Sequence, residues 1–295
     1  MSSLIELVKK NNIEGVKKYI KNDKDINIQD KNGETGLILA CICGYEKIVS
    51  LLIKGGCDLN KQDIDGDTGL ILACYNGYEK IVSLLIKGGC DLNKQDIDGD
   101  TGLILACYNG YEKIVSLLIK GGCDLNKQDI DGDTGLILAC YNGYEKIVSL
   151  LIKGGCDLNK QDIDGDTGLI LACISGYINI IRILISSGCD LNIQDKDGYT
   201  GLIWTCRNGN AKIASLLIRS NSVLNIKDKH GNTYKSYIKP HQQESINRAI
   251  LCTGLIGSLI RHIIEHKNKY KIENLKRLPR SIRRNLGKSI YLLKS

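Results

Sequence analysis

Between residues 65 and 97 the apolar positions fall in two short runs set apart by polar and glycine-containing segments. Leu70, Ile71, Leu72, Ala73 and Cys74 form the first run, and Asn76-Gly77 closes it as a helix stop. The second run places Ile81, Val82, Leu84, Leu85 and Ile86 at helical spacing between about Tyr78 and Lys87, and Gly88-Gly89 ends it. Ahead of both, Asp65-Gly66-Asp67 is a polar turn in which Gly66 can supply a positive φ. Thr68 stands where its hydroxyl can cap the first helix. The pattern therefore predicts a turn followed by two short helices. Neither helix can bury its apolar stripe within one unit, so neighbouring units must cover one another.

The same 33 residues occur without a change at 65–97, 98–130 and 131–163. Thr35, Thr68, Thr101, Thr134, Thr167, Thr200 and Thr233 mark the period along the chain. A fixed period of this size is the signature of a stacked, quasi-one-dimensional array. The expected fold class is all-α, a solenoid of stacked helix-turn-helix units with projecting turns, followed by a short basic helical tail. Residues 1–31 read as an N-terminal capping unit and 32–229 as six full units: 32–64, 65–97, 98–130, 131–163, 164–196 and 197–229. Residues 230–241 begin a degenerate unit at His230-Gly231-Asn232-Thr233, and 242–295 form the tail. Three perfect copies carry no positional information, so the middle of the array is expected to act mainly as a spacer.

The unit resembles the ankyrin repeat. The family pattern, turn–Thr-Pro-Leu-His-x-Ala-Ala–x-x-Gly-His–x-x-Ile-Val-x-x-Leu-Leu–x-x-Gly-Ala-Asp-Val-Asn, is matched in length and at nearly every apolar and glycine position. Two departures stand out. Thr-Pro-Leu-His becomes Thr68-Gly69-Leu70-Ile71, and Gly-His becomes Gly77-Tyr78. The first removes a proline that presets the opening helical turn and a histidine that, in the family, hydrogen-bonds along the stack. A helix-start glycine costs roughly 0.5–1 kcal/mol per unit in backbone entropy, so high stability does not follow from the pattern.

The resemblance implies a non-enzymatic scaffold that binds another protein through the turn tips and the exposed ends of the first helices, on the concave side. Carried over by position, the tips are Ile64, Asp65 and Asp67 with their 33-residue copies. The helix-end pairs are Tyr75-Asn76, Tyr108-Asn109 and Tyr141-Asn142. Tyrosine suits such a surface because it offers area and a hydroxyl at low entropic cost; the alternative is that it merely shields the helix end. Because identical tips cannot set a docking register, discrimination is expected from the variable units. Those positions are Ile42 and Cys43, Ile174 and Ser175, and Tyr199, Arg207 and Asn208.

Charge divides the chain. Residues 230–295 hold fourteen Lys/Arg against three Asp/Glu, and the first 229 hold 26 against 30, a net −4. All four histidines lie in the basic part. The thirteen cysteines mostly occupy two repeat positions. Equivalent positions in stacked helices lie roughly 8–10 Å apart, beyond the ~7 Å Cα limit for a disulfide. They read as small buried apolar residues in a reducing, intracellular compartment, and no signal peptide or long apolar span accompanies them. Asp96, Asp98 and Asp100 around Gly99 resemble a calcium loop, but the glycine comes one step early and the distal glutamate is missing. No Ser/His/Asp set or phosphate-binding glycine loop occurs. Neither metal, cofactor nor catalytic activity is expected, and the chain is expected to be monomeric. Trp204, which takes the place of a leucine in the sixth unit, reads as packing near the end of the stack.

Three readings of the tail remain open. Ile246, Ile250, Ile256, Leu259 and Ile260 at helical spacing predict a helix that packs on the last unit. Leu278, Ile282, Leu286, Ile290 and Leu293 form a second stripe after Pro279, and the pair can be a cap with a solvated basic face. Net charge alone would also suit nucleic acid or an anionic membrane. Lastly, Leu278-Pro279 with Ile282 and Leu286 is similar to the Leu-Pro-led helix of F-box-like segments and of the SOCS box. That resemblance implies an adaptor recruiting a cullin-type ubiquitin ligase.

Overall fold

The computed structural model describes residues 3–22 and 25–253. The chain divides into two compact units between Gly201 and Leu202.

In the first unit, helices alternate short and slightly longer. They are α1 Leu4–Lys9, α2 Ile13–Lys21, α3 Gly36–Ile42, α4 Glu46–Lys54, α5 Gly69–Tyr75 and α6 Glu79–Lys87. The series continues with α7 Gly102–Tyr108, α8 Glu112–Gly121, α9 Gly135–Asn142, α10 Glu145–Gly154, α11 Gly168–Ser175 and α12 Ile178–Ser187. Each short helix packs on the next short helix, α3 on α5 on α7 on α9 on α11, and the longer ones form a second layer, α4 through α12. No strand occurs among the described residues, where one isolated bridge joins Gln29 and Thr35. The expected all-helical stacked array is what forms.

The threonine cap is the local reason each short helix starts where it does. Thr68 Oγ1 accepts from the Ile71 N–H at 3.2 Å, and Thr35, Thr101, Thr134 and Thr167 repeat the bond. Within each unit the core is Leu70, Ile71, Ala73 and Cys74 from the first helix and Ile81, Val82 and Leu85 from the second, all buried. The three identical units repeat that core residue for residue. Ser3 and Glu6 form a capping box that starts α1.

The glycine that replaces the family's proline has a packing cause. A Cβ on Gly102 would lie 2.9 Å from the Sγ of Cys74 in the preceding unit. The enlarged Cys, where the family pattern has alanine, occupies the space that any side chain at 102 would need. The entropic cost expected from the glycine is thus tied to a filled core. The tyrosine that replaces the family's second histidine also spans units, since the Tyr111 ring lies against Gly77.

From Leu202 onward the helices are the rest of α13 (Gly201–Arg207), α14 (Ala211–Arg219), and two 3-10 turns, Tyr234–Tyr237 and Pro240–Gln242. A further helix covers 243–253 of the described chain, with Ile246 and Ala249 buried. It packs on α14, where Ser215 and Ser245 share a hydroxyl hydrogen bond of 2.8 Å. Trp204 is half-buried and carries the Arg207 guanidinium 5.1 Å above its ring. The apolar positions beyond 253, and with them Leu278, Pro279, Ile282, Leu286 and Ile290, lie outside the described residues.

Candidate functional site

The turn is built from its own side chains. Asp96 Oδ1 accepts from the Asp98 N–H at 3.0 Å and from the Asp100 N–H at 2.8 Å, which bends the chain back on itself. Gly99 completes the turn at φ +79, and a Cβ there would strike the Asp129 backbone of the next turn at 2.9 Å. Of the three acids that resemble a calcium loop, Asp96 is thereby committed to shaping the backbone.

Polar side chains also tie each turn to its neighbour. Gln95 Nε2 donates to the Gly99 carbonyl at 2.7 Å and to the Gln128 carbonyl of the next unit at 2.9 Å. Asn93 Oδ1 accepts from the Asp124 N–H at 2.7 Å, and the Ile130 N–H donates to the Asp98 carbonyl at 2.9 Å. The donating glutamine recurs at Gln29, Gln62, Gln128 and Gln161. Sequence reasoning recorded the lost histidine and missed these rungs. The signal was present as an Asn-x-Gln spacing repeated from Asn27-Ile28-Gln29 to Asn192-Ile193-Gln194, but nothing in one unit says that an amide spans to the next.

Two columns of exposed side chains run along this framework. At the tips Ile64, Ile97, Ile130 and Ile163 are all exposed, the first three by about two thirds. At the helix ends Tyr75, Tyr108 and Tyr141 are a little over half exposed. The adjoining asparagines are partly occupied in structure: Asn76, Asn109 and Asn142 donate their amide nitrogens to the carbonyls of Leu72, Leu105 and Leu138. Among the variable positions Cys43, Ser175, Arg207 and Asn208 are exposed, and Ile42 and Ile174 are half-buried. Tyr199 is buried, only 8% exposed, so it presents little to a partner. It stands where the turns at Glu34, Asp67, Asp100, Asp133 and Asp166 carry an acid.

Asp65 is exposed, whereas Asp67 is half-buried beneath the turn. Burial, and then the neighbouring Asp63, Asp96, Asp65 and Asp98, push the Asp67 carboxyl up to about 7. Asp100, Asp133 and Asp166 rise to about 7 for the same reasons, and Asp166 Oδ1 has no hydrogen-bond partner. None of the ion pairs among the described residues reaches this column. The helix face opposite is charge-compensated instead, with Lys80–Glu46, Lys113–Glu79 and Lys146–Glu112 at 3.3–3.5 Å. A groove of about 410 Å³ beside Glu145, Lys146, Ser149 and Ile183 brings no convergent catalytic set together.

The thirteen cysteines are all free, and eleven are buried. Burial pushes the Cys90, Cys123 and Cys156 thiols up to about 11. Such thiols stay protonated and unreactive at neutral pH. Among the described residues no group of three His, Cys, Asp or Glu is placed to hold a metal, and no helix is long and apolar enough to cross a membrane.

A family model described as ankyrin repeats (3 copies) matches residues 4–96, 88–162 and 169–237. No curated protein matches the chain. Ankyrin repeats are generally protein–protein interaction modules and typically non-enzymatic. With the stacked helix pairs, the capping threonines and the projecting turns all recurring at the 33-residue period, the chain belongs to the ankyrin-repeat family.

Proposed function

We propose that this protein is a non-enzymatic scaffold whose array binds a partner protein along the face that carries the turn tips and first-helix ends. The observation that carries this reading is the pair of exposed columns, isoleucine at the tips and tyrosine at the helix ends, repeated in register on a hydrogen-bonded frame. Large apolar side chains held outside the core by rigid turns are what a partner can desolvate at low entropic cost. The variable positions Ile42, Cys43, Ile174, Arg207 and Asn208 supply discrimination. Eleven buried free thiols support a reducing, intracellular compartment.

The test is affinity capture from cell lysate with the full chain, compared with Tyr75→Ala/Tyr108→Ala/Tyr141→Ala and with Leu278→Asp/Ile282→Asp. The array reading expects partners to be lost in the triple variant while its helical dichroism and melting are retained. Loss confined to the Leu278/Ile282 variant, with ligase components among the missing proteins, would move recruitment to the tail.

A further inference from the structure

The tip column has a defined length and a defined chemistry. Ile64, Ile97, Ile130 and Ile163 are 66%, 65%, 64% and 49% exposed. At both ends the same turn position is an exposed lysine, Lys31 before the column and Lys196 after it. The apolar row is thus four turns long. It is also fixed, because each isoleucine N–H donates to a carbonyl of the preceding turn, Ile64 to Asn32, Ile97 to Asp65, Ile130 to Asp98 and Ile163 to Asp131.

These isoleucines take no part in the core, and leaving them in water forgoes the free energy of burial. An exposed aspartate follows each of them, and no ion pair among the described residues compensates those acids. A second copy of this stripe would set aspartate against aspartate. Nucleic acid and anionic lipid would meet the same repulsion. The surface therefore fits an occupant that is apolar at intervals and cationic between them.

Spacing sharpens the match. Stacked helical units repeat at roughly 8–10 Å. An extended polyproline-type chain rises about 3.1 Å per residue with three residues per turn, which returns every third side chain to one face after about 9 Å.

We propose that the Ile64–Ile163 row docks an extended, basic segment of the partner protein carrying an apolar residue at every third position. This rests on the array's being a partner-binding surface and names the partner's chemistry. Four equivalent subsites follow, one per turn, so the segment binds in several registers and gains affinity with length.

The probe is a fluorescent peptide of four Leu-Lys-Lys triplets, titrated by anisotropy against the full chain. Controls are a scrambled peptide of the same composition and a Leu-Glu-Glu counterpart. The triplet peptide is expected to bind, and Ile97→Ser/Ile130→Ser to weaken it about tenfold or more, the order expected for losing two apolar contacts. Asp98→Asn/Asp131→Asn should weaken it as well and flatten its salt dependence. Equal binding of the scrambled peptide, binding unchanged in both variants, or no binding at all overturns the proposal. Self-association lost in Ile97→Ser/Ile130→Ser by sedimentation would assign the row to a second copy instead. Partner capture that depends on the tyrosine column while the tip variants stay silent would leave the scaffold reading standing and sink this one.

Discussion

In the identical units at 65–163, every link between neighbours is made over and over by the same residues. Gln95, Gln128 and Gln161 each bridge two turns, and Asn93, Asn126 and Asn159 each receive the next unit's backbone N–H. From Leu202 onward the positions of those ladders read differently. Lys227 stands at the glutamine position, and Val223, 45% exposed, at that of the bridging aspartate. The turn keeps the repeated pattern, with Asp228 Oδ1 accepting from the His230 and Asn232 N–H groups, and single-use contacts are added to it: Tyr237 donates to Asp228, His241 Nε2 to the Gly209 carbonyl at 3.1 Å, and buried Gln242 to the Thr205 carbonyl at 3.4 Å. One region is strengthened by adding copies. The other adds contacts specified one by one.

The largest effects should come from the repeated core and should be the same wherever they are made. Leu85 and Leu118 are fully buried on helices flanked on both sides by helices of the same sequence, and Leu151 is equally buried on α10, whose neighbour α12 reads differently. Each Leu→Ala change is expected to destabilise by about 2–5 kcal/mol in urea unfolding, with closely similar values at Leu85 and Leu118. Leu217, equally buried but among single-use contacts, should give its own value. Clearly unequal losses at Leu85 and Leu118 would break the comparison, because array energetics would then depend on position.

Next in size is the contact between the short helices of neighbouring units. Gly102→Ala puts a Cβ 2.9 Å from Cys74 Sγ and should cost about 1–3 kcal/mol. Adding Cys74→Ala should recover most of that loss, since it removes the obstructing sulfur. A double-mutant cycle with no coupling would show that the glycine is there for its backbone alone.

Removing one rung should cost less. Gln95→Ala deletes both turn-bridging hydrogen bonds and the one accepted from Lys127 and is expected to destabilise by about 1–2 kcal/mol, again equally at Gln128, which accepts from Lys160. Gln242→Ala removes a wholly buried amide from the single-use end and should advance the melting of that segment ahead of the rest, visible as a separate early transition. A single shared transition in both variants would mean that the two regions unfold together.

Smallest per site, because solvent screens these half-exposed carboxyls, is a pH dependence confined to the repeated region. Asp67, Asp100, Asp133 and Asp166 titrate near 7 in the folded array, far above the carboxylates of the unfolded chain, about 3.9. The folded state therefore holds extra protons between those values. This contribution to stability is complete below about 4 and is lost as the pH rises through about 7. Thermal melts between pH 5 and 8 should show the array weakening with pH, and Asn at all four positions should flatten that slope. A slope unchanged by the four substitutions would locate the titration elsewhere.

Much of this was legible in one dimension. The spacing of Leu70 to Cys74 and Ile81 to Ile86 announced two helices, Thr68 announced the start of the first, and the period announced their stacking. Ile64 and Tyr75 could be placed outside the core by position alone. Other features were not legible. Gln95 reads as an ordinary turn amide until the next turn lies within reach of Nε2. Tyr199 looks like another surface tyrosine and is buried, and Asn76 looks like a contact residue while its amide closes a helix.

The residues by themselves thus determined the unit, its helices and its repetition, because caps, glycines and apolar spacing act within a few positions of chain. Only the tertiary structure decided which side chains join one unit to the next: the glutamine and asparagine rungs, the pairing of Gly102 with Cys74, and the carboxyl column beneath the turns. Each of these depends on the distance between atoms some 33 residues apart. A hydrogen bond, a van der Waals contact and a desolvated charge all change within an ångström or two, and that distance exists only once the units have stacked.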